Sequence, residues 1–426
     1  MVPMMYWRLW VMMFLQYFTW GCWWVTLGTY IMSHESGTPG GFFSDGFTGS
    51  AISTSAIGAI FAPFIVGLIA DRYFPTQIVL GVLHLLGAAI LYFTSTLQNE
   101  SQFWFGLLMY FFTFMPTLAL TNSLSMHNLS QPDREFPWIR VLGTIGWIAA
   151  GWFFTVYVLA RGAQGDGIAT ALTELQQSAL PMVFAAVSQV ILGFYCFFLP
   201  HTPPPAKGQS ITARDVLGLD AVKLMQEPSF FIFVLGSFLI CIPLQFYYGY
   251  TNPFLNGLGV ENAVGKQTWG QMSEVIFMVL MPFFFVRLGV KAMLLVGMVT
   301  WVFRYFLFSF GDAGARAWML YLGLIVHGIC YDFFFVTGQI YVDRKAGPKF
   351  RSAAQGFITV VTLGLGFLVG GQVASIVERA TGAGGSENWR TFWLIPAAFA
   401  GVVAVLFALF FRDTSQADEV QPIDAK

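Results

Sequence analysis

The stretch WMLYLGLIVHGICYDFFFVTG, residues 318–338, is an apolar run that contains two ionisable side chains. Its length matches the about 20 residues that an α-helix needs to cross a hydrocarbon core of roughly 30 Å. His327 and Asp332 lie inside the run, and an Asp at the centre of a membrane helix costs about 2.5–3.5 kcal/mol on insertion scales. Such a residue normally faces a protein interior or a wet cavity. The stretch therefore predicts a membrane helix with a substrate or proton site, or alternatively a structural polar contact between helices.

The composition of the whole chain favours the same class of protein. The 426 residues are 56% hydrophobic and only 10% charged, whereas a soluble domain carries about 25% charged residues. The apolar runs are continuous, which excludes the short alternating strands of a membrane β-barrel. The net charge of −1 gives no case for binding nucleic acid. The chain is therefore predicted to be an all-α membrane protein.

Twelve apolar segments follow one another along the chain, each long enough to cross a bilayer. They lie near residues 8–32, 49–70, 76–96, 102–125, 138–160, 178–199, 229–252, 267–286, 292–310, 316–338, 351–377 and 390–411. The polar stretch 200–227 separates the sixth segment from the seventh. We therefore predict twelve transmembrane helices in two six-helix halves, residues 1–199 and 228–411, with a cytoplasmic loop 200–227 and a cytoplasmic tail 412–426. The sequence after Arg8 lacks a cleavage site, so the first helix is expected to be retained.

Basic residues are distributed unevenly between the two sets of loops. If both termini are cytoplasmic, 15 of the 21 Lys and Arg residues lie on that side, five lie on the other, and Arg304 lies within a span. Cytoplasmic loops of membrane proteins are enriched in basic residues. An even number of spans also requires the termini to share a side. Both termini are therefore predicted to be cytoplasmic, in the plasma membrane, which would be the inner membrane of a bacterium.

A short pattern between the second and third segments is typical of the major facilitator superfamily. It reads Gly-x-x-x-Asp-Arg, here residues 67–72, at a very short link between two spans. A comparably short basic link, residues 287–291, occurs in the second half. Two repeated six-helix halves with a long central loop are common among secondary transporters. The sequence therefore predicts the major facilitator superfamily fold.

The usual sequence motifs of catalysis and metal binding are absent. There is no His-x-x-x-His pair, no Gly-x-Ser-x-Gly elbow and no phosphate-binding glycine loop. The four cysteines are far apart within apolar runs, which supports neither a metal site nor a disulfide framework. The protein is therefore expected not to be an enzyme and to use no cofactor and no metal.

Polar and aromatic residues repeat at helical spacing on four of the predicted spans. These sets are Arg140, Thr144 and Trp147; Gln245, Tyr248 and Asn252; Gln271 and Glu274; and His327 and Tyr331, with Asp332 about 100° round the helix from Tyr331. Four such faces predict a central cavity that suits a neutral, polyhydroxylated ligand with a base-like edge and a flat ring. Arg304 is an alternative partner for Glu274, and that pairing would make Glu274 structural.

Several stretches of the chain resemble the nucleoside:proton symporter family of the major facilitator superfamily. They are FLQYFTWGCWWVTLGTY (14–30), MPTLALTNS (115–123), FPWIRVLGTIGW (136–147), VLGLDA (216–221), CYDFF (330–334) and SAAQG (352–356). The resemblance extends from the first span to the eleventh, and the segment Ile-Arg-x-x-Gly-Thr-Ile-Gly at 139–146 is its most specific part.

The resemblance implies how the first set of residues would meet the substrate. Arg140 and Thr144 would contact the nucleoside, and Trp147 stands at an aromatic position where the family often has Phe. Tyr248 and His327 would border the substrate at positions where familiar members carry Asn and Tyr.

The resemblance also implies roles for the remaining polar residues. Gln245, Gln271 and Glu274 would hydrogen-bond the base and the ribose. Tyr331 would pack on the substrate, and Asp332 matches an acidic position implicated in proton coupling. Glu274 is the second candidate for carrying the proton, and the two carboxyls are able to titrate as a coupled pair.

These observations together predict a proton-coupled nucleoside importer that works by alternating access. Its expected partners are the nucleoside, the proton and the lipid bilayer, with no nucleic acid, and it is expected to function as a monomer. The alternatives are a proton symporter for another neutral polar metabolite, such as a sugar, and a sensor that binds its ligand without transporting it.

Overall fold

The computed structural model describes residues 4–70, 73–130, 132–165, 167–204, 219–383 and 388–413, and most of these are helical. The first half contains α1 (Met4–Trp24), α2 (Leu27–Ser33), α3 (Phe47–Ala70), α4 (Thr76–Thr94), α5 (Glu100–His127), α6 (Pro132–Ala160), α7 (Gly167–Gln177) and α8 (Leu180–Cys196). Residues 71 and 72 of the superfamily pattern lie outside the described residues, as do residues 205–218 and 414–426 of the predicted loop and tail.

The second half contains both α-helices and π-helical turns. A 3-10 helix (Leu219–Gln226) is followed by α9 (Pro228–Gly257), α10 (Ala263–Phe310), α11 (Ala317–Ile325) and α12 (His327–Tyr331). A π-helical turn (Asp332–Val336), α13 (Thr337–Thr359), a second π-helical segment (Val360–Gly366), α14 (Phe367–Thr381) and α15 (Trp389–Phe410) complete it.

The helices account for all twelve predicted spans. Eight helices of the described chain are long and apolar enough to cross a membrane, and the bent pair α7–α8 would add a ninth. One of the eight, α10, covers two predicted spans, while α1 and α3 cover the first two. Helices suit a bilayer because each satisfies its own backbone hydrogen bonds. The predicted all-α membrane fold is confirmed.

The two predicted spans within α10 meet at Gly289. This residue has φ +69° and ψ 176°, a conformation that costs glycine little and other residues much. It therefore ends one helix and allows the next to begin within the short link that the basic residues mark. Lys291 follows two residues later, and its Nζ donates to the carbonyl oxygen of Ala408 at 2.8 Å.

The chain divides into two compact units that do not follow the sequence halves. Unit 1 comprises Met1–Ser210, Gln245–Gln271 and Phe367–Trp389. Unit 2 comprises Ile211–Leu244, Met272–Gly366 and Arg390–Lys426. Parts of α9 and α10 and the whole of α14 thus belong with the N-terminal helices.

Unit 1 has an aromatic core and close helix contacts. Its fully buried rings include Trp23, Phe103, Tyr110, Phe111 and Phe114. A Cβ added to Gly49 of α3 would lie 2.1 Å from the carbonyl oxygen of Gly371 in α14, so any side chain there would push the helices apart. Thr29 of α2 also donates a hydrogen bond to Asn252 of α9 at 2.5 Å. These contacts explain why segments of the second half belong to this unit.

Unit 2 is also built around large buried rings. Tyr305 of α10 and Trp393 of α15 are fully buried and stack with centroids 5.7 Å apart. Phe333 packs against Met281 and Met293 in a second cluster. This packing holds α10, α15 and the π-helical turn together.

Candidate functional site

The three predicted residues of α6 are backed by aromatic rings of α1. The guanidinium carbon of Arg140 lies 4.1 Å from the centroid of the Tyr17 ring, which is cation–π geometry. Trp20 extends this aromatic surface, with centroids 6.4 Å from Tyr17 and 5.4 Å from Trp147. Thr144 is half-buried one turn after Arg140. The planar guanidinium is therefore held by stacking, and its N–H groups remain suited to a ligand with two acceptors.

Three predicted residues from three different helices line one small cavity of unit 1. Trp147 of α6, Tyr248 of α9 and Gln271 of α10 surround a space of about 30 Å³. A water molecule needs at least about 10–15 Å³ of such space, so the cavity has room for water and is too small for a nucleoside. Gln267 and Thr268 add polar groups to its wall. The cavity combines two aromatic faces with amide groups.

Gln245 of α9 is a buried amide to which the described part of the chain offers no partner. The side chain is fully buried, and neither Nε2 nor Oε1 has a hydrogen-bond partner among the described residues. Leaving such a group unsatisfied costs about 1–3 kcal/mol. Buried polar groups are otherwise nearly always paired. An amide in this state is suited to bind a polar ligand.

Asn252, one further turn along α9, has a different environment. It accepts from Thr29 at 2.5 Å and donates to Oε1 of Gln176 at 3.0 Å. Asn256 donates to the same Gln176 oxygen at 3.2 Å. The hydrogen bonds of Asn252 therefore serve packing between α2, α7 and α9, whereas Gln245 on the same stripe has no partner among the described residues.

The second group of predicted residues lies in unit 2, where His327 joins two charged side chains. Its Nδ1 lies 2.8 Å from Nη2 of Arg304, and its Nε2 lies 2.8 Å from Oε1 of Glu274. Arg304 can only donate, so Nδ1 accepts and the ring proton sits on Nε2, from which it is donated to Glu274. Arg304 is thus connected to Glu274 through His327. Glu274 is held as an acceptor with part of its carboxylate still accessible.

Gly328 explains how His327 comes so close to α10. A Cβ on Gly328 would lie 2.6 Å from the carbonyl oxygen of Ser273 and 2.7 Å from the backbone nitrogen of Glu274. The Gly328 N–H donates to Oγ of Ser273 at 2.9 Å. Only glycine permits this approach, so the contact between the His327 ring and Glu274 depends on it.

Asp332 is fully buried at the first position of the π-helical turn. Neither of its carboxyl oxygens has a hydrogen-bond partner among the described residues. A carboxylate in such surroundings would be a desolvated and uncompensated charge, so the protonated acid is the form that the site tolerates. Single π-helical turns within α-helices are frequent at functional sites.

Tyr331 lies beside His327 and faces a second cavity. The ring centroids of Tyr331 and His327 are 5.9 Å apart. Tyr331 lines a space of about 60 Å³ in unit 2, together with Ser237, Gln339 and Thr362. Ser237 is buried, and its Oγ has no partner within the described chain. The phenol therefore borders a polar cavity within unit 2.

Two contributors to these sites do not emerge from the polar spacing. Tyr17 lies under Arg140, and Gly328 lies next to His327 in the sequence. Tyr17 belongs to the aromatic stretch 14–30, whose family resemblance could have drawn attention to it. Gly328 is one of many glycines within spans, where small residues allow helices to approach. The sequence around Gly328 does not distinguish it from the other glycines within spans.

Comparisons with known proteins give one consistent result. The sequence profile of the nucleoside H⁺ symporter family matches residues 4–416. YegT of Escherichia coli strain K12 is 40% identical over 411 residues, which are 95% of this chain and 93% of YegT. The xanthosine permease of the same strain is 32% identical, with 97% of each chain covered.

A solved structure shows the same similarity in three dimensions. A crystal structure of the nucleoside transporter NupG superimposes with a TM-score of 0.86 at 29% identity, over 96% of this chain and 100% of that chain. The match covers both halves of the sequence. The predicted major facilitator superfamily fold is confirmed.

Proposed function

This chain belongs to the nucleoside H⁺ symporter family and performs proton-coupled nucleoside transport; from that premise we propose which residues bind the nucleoside and which carries the proton. One observation carries the proposal. Asp332 is fully buried, and its carboxyl oxygens have no partner within the described chain. Such a group binds a proton when it is shielded and releases it when water reaches it.

Nucleoside recognition in this proposal uses the amides and rings of unit 1. Gln245 and Gln271 hydrogen-bond the base and the ribose, because Gln245 has no competing partner and Gln271 lines the small cavity. Trp147 and Tyr248 provide faces for a flat ring. Arg140 donates to acceptors of the nucleoside, and Thr144 adds a hydroxyl on the same face.

In unit 2 the residues combine substrate contact with proton transfer. Glu274 accepts from a ribose hydroxyl or a base N–H, and His327 fixes the direction of its carboxylate. Tyr331 packs on the substrate. Asp332 carries the proton, and Glu274 is able to titrate with it as a coupled pair. Import then follows from alternating access, because protons return down their gradient together with the nucleoside.

The protein is a membrane protein, as are the bacterial permeases that it resembles, and we place it in a bacterial inner membrane. We propose that both termini are cytoplasmic, as the distribution of basic residues indicates, and that the protein functions as a monomer. Cysteine at exposed Ser36 would then react with an impermeant thiol reagent from outside, and cysteine at exposed Gln226 only from inside. Labelling of a Gln226→Cys variant from outside would show that the orientation is the reverse of the proposed one.

The direct test of the function is uptake of labelled uridine into vesicles that contain the purified protein. We expect uptake against a concentration gradient when the outside is acidic, and loss of that accumulation with a protonophore. Binding without uptake would identify a sensor instead. Indifference to uridine, with accumulation of a labelled sugar, would identify a carrier for another neutral metabolite.

A further inference from the structure

Three ionisable side chains that have no assigned role toward the nucleoside meet in unit 1. Glu35 lies in the loop after α2, Tyr250 in α9 and Glu378 in α14. The Tyr250 hydroxyl is buried and donates to Oε2 of Glu378 at 2.6 Å. Glu378 itself is only 4% exposed. One oxygen of this buried carboxyl thus has a strong donor.

A second carboxyl, that of Glu35, lies near Glu378. Oε1 of Glu378 is buried and has no hydrogen-bond partner among the described residues. The carboxyl groups of Glu378 and Glu35 lie close to each other, because the N–H of Gly46 donates to Glu35 while the carbonyl oxygen of Gly46 accepts from Oγ of Ser375, one turn before Glu378. Two carboxylates cannot both remain ionised at such a distance, because like charges in a poorly solvated site repel strongly. A single proton between the two carboxyls removes the repulsion and gives Oε1 its missing hydrogen bond.

The other groups around Glu35 do not offset the repulsion between the two carboxyls. The N–H of Gly46 donates to Oε1 of Glu35 at 3.4 Å, while Asp45 adds a nearby negative charge. The Arg379 side chain passes beside Gly46 but is exposed. Burial, with a smaller contribution from Asp45, raises the pKa of Glu35 to about 7.

Two further ionisable groups lie on the elements packed against this loop. Glu100 of α5 accepts from the N–H of Ser44 at 2.5 Å. Nδ1 of His34 lies 2.8 Å from the carbonyl oxygen of Tyr30. Both are engaged with the backbone, so neither replaces the shared proton.

The carboxyl pair exists only when the two sequence halves meet at the ends that carry these residues. Glu35 follows the first span, whereas Tyr250 and Glu378 belong to the second half. In alternating access, the two halves separate on one side of the membrane when they close on the other. The ends of the halves that carry Glu35 and Glu378 therefore part when the opposite side closes. We propose that Glu35 and Glu378 form a second proton-binding site, which takes up one proton when these ends close and releases it when they part. This inference rests on alternating access and on the proposed orientation, which places the loop outside.

The direction of the pH effect follows from linkage. When the ends are apart, both carboxyls are in water and ionise near the ordinary Glu value of about 4.3. When the ends are closed, the pKa of Glu35 is about 7. Closure therefore binds a proton between these values and is favoured by acid outside. As the pH rises through about 7, this contribution to closure is lost.

Thr48 offers a reporter for closure at this end. It is fully buried in α3, and its Oγ1 has no partner in the described chain, so Thr48→Cys is a mild change. The four native cysteines are buried, and the parent protein measures their background. A cysteine at exposed Gly37, where a side chain would meet nothing within 4 Å, corrects for the pH dependence of thiol reactivity.

The experiment measures labelling of Thr48→Cys by an impermeant methanethiosulfonate, relative to Gly37→Cys, in vesicles without nucleoside. We expect the ratio to fall about tenfold or more between outside pH of about 8 and about 5.5. The double variant Glu35→Gln/Glu378→Gln should make the ratio constant within about twofold, because no carboxyl of the pair remains to bind a proton. Each single variant should reduce the fall, because the remaining carboxyl is no longer repelled by the other. Asp45→Asn, which changes a nearby exposed carboxyl, should retain the fall.

The results separate this inference from the proposed function. A constant ratio in the Thr48→Cys protein, or an undiminished fall in the glutamine variants, would overturn the second proton site even if uridine uptake is intact. Since Glu35 lies in a half-exposed loop, its variant tests the pair if Glu378→Gln fails to fold. Labelling needs no nucleoside, so a failure of uridine transport leaves the measurement valid.

Discussion

Nε2 of His327 lies 2.8 Å from Oε1 of Glu274, while the opposite nitrogen of the same ring lies 2.8 Å from Arg304. The imidazole therefore connects a buried guanidinium to a carboxylate that is still partly accessible. Arg304 fixes the tautomer, and the tautomer fixes Glu274 as an acceptor. In the proposed role of Glu274, its second oxygen contacts the ligand.

Replacing His327 should therefore weaken nucleoside binding through Glu274. We expect His327→Phe to reduce uridine affinity about tenfold, which corresponds to about 1.4 kcal/mol, because the carboxylate loses its oriented donor. Calorimetric titration with uridine measures the effect. His127→Phe, at the exposed end of α5, is the control and should bind like the parent. Equal affinity of the His327 and His127 variants would show that this hydrogen bond does not orient Glu274 for binding.

Gly328 should be intolerant of even one added methyl group. In Gly328→Ala the new Cβ would meet the backbone of Ser273 and Glu274 at 2.6–2.7 Å, so the helices must separate. We expect a loss of about 1–3 kcal/mol in unfolding free energy, seen as a lower melting temperature in detergent. Gly167→Ala, where nothing lies within 4 Å, should leave the melting temperature unchanged. Equal melting temperatures of the two variants would contradict the close approach.

Part of this arrangement could be predicted from the sequence and part could not. Hydrophobic length gave the twelve spans, and helical spacing placed Trp147, Tyr248 and Gln271 on faces that line one cavity. Spacing could not separate Gln245 from Asn252, since both lie on one stripe. The difference arises from Gln176, which belongs to α7. This short helix lies between two predicted spans and has no long apolar run to reveal it.

The region around Asp332 shows a second limit of spacing. The 100° step from Tyr331 assumes 3.6 residues per turn, but the helix widens to a π-helical turn from Asp332 to Val336. Side chains beyond Asp332 therefore lie on a different face from the one that a regular α-helix would predict. Arg304 shows that the sequence also could not identify every side-chain partner. The sequence suggested Glu274 as its partner, and the side chain donates to His327, which in turn contacts Glu274. Spacing along the chain did not reveal this intermediate residue.

Gln245 should matter for binding and not for folding. Gln245→Leu removes a buried amide that has no partner in the described chain, so the unliganded protein should be as stable as the parent or more stable. Uridine affinity should nevertheless fall about tenfold, the value of about one hydrogen bond at a buried site. Gln176→Leu is the matched control. That glutamine is equally buried but accepts from Asn252 and Asn256, so its loss should lower the melting temperature.

Gln245 would be a packing residue if Gln245→Leu lowered the melting temperature as much as Gln176→Leu and left uridine affinity unchanged. The comparison distinguishes a binding role from a packing role because both substitutions replace a buried glutamine by leucine. Thermal unfolding and calorimetric titration on one preparation of each variant provide both quantities.

Arg140 should not be replaceable by lysine. The guanidinium stacks on Tyr17 at 4.1 Å and presents a planar fork of donors. Lysine keeps the charge but loses the fork, so we expect Arg140→Lys to weaken uridine binding by at least about tenfold. Arg316→Lys, in an exposed pair with Asp312, should have no effect. Uridine affinity of Arg140→Lys equal to that of the parent would reduce Arg140 to an anchor of α6.

Asp332 should decide whether a proton gradient drives transport. Both of its oxygens are buried without a partner among the described residues, so closure of the site favours the protonated acid and hydration favours release. Asparagine keeps the size and hydrogen-bonding capacity of the acid but cannot carry the proton. We expect Asp332→Asn to abolish uridine accumulation driven by an imposed pH gradient, while exchange of labelled for unlabelled uridine at equal pH remains measurable. Asp312→Asn changes a carboxyl in an exposed loop and should accumulate uridine like the parent. If Asp332→Asn still concentrates uridine when a pH gradient is imposed, the proton is carried elsewhere, and the same measurement on Glu274→Gln then identifies the next carboxyl.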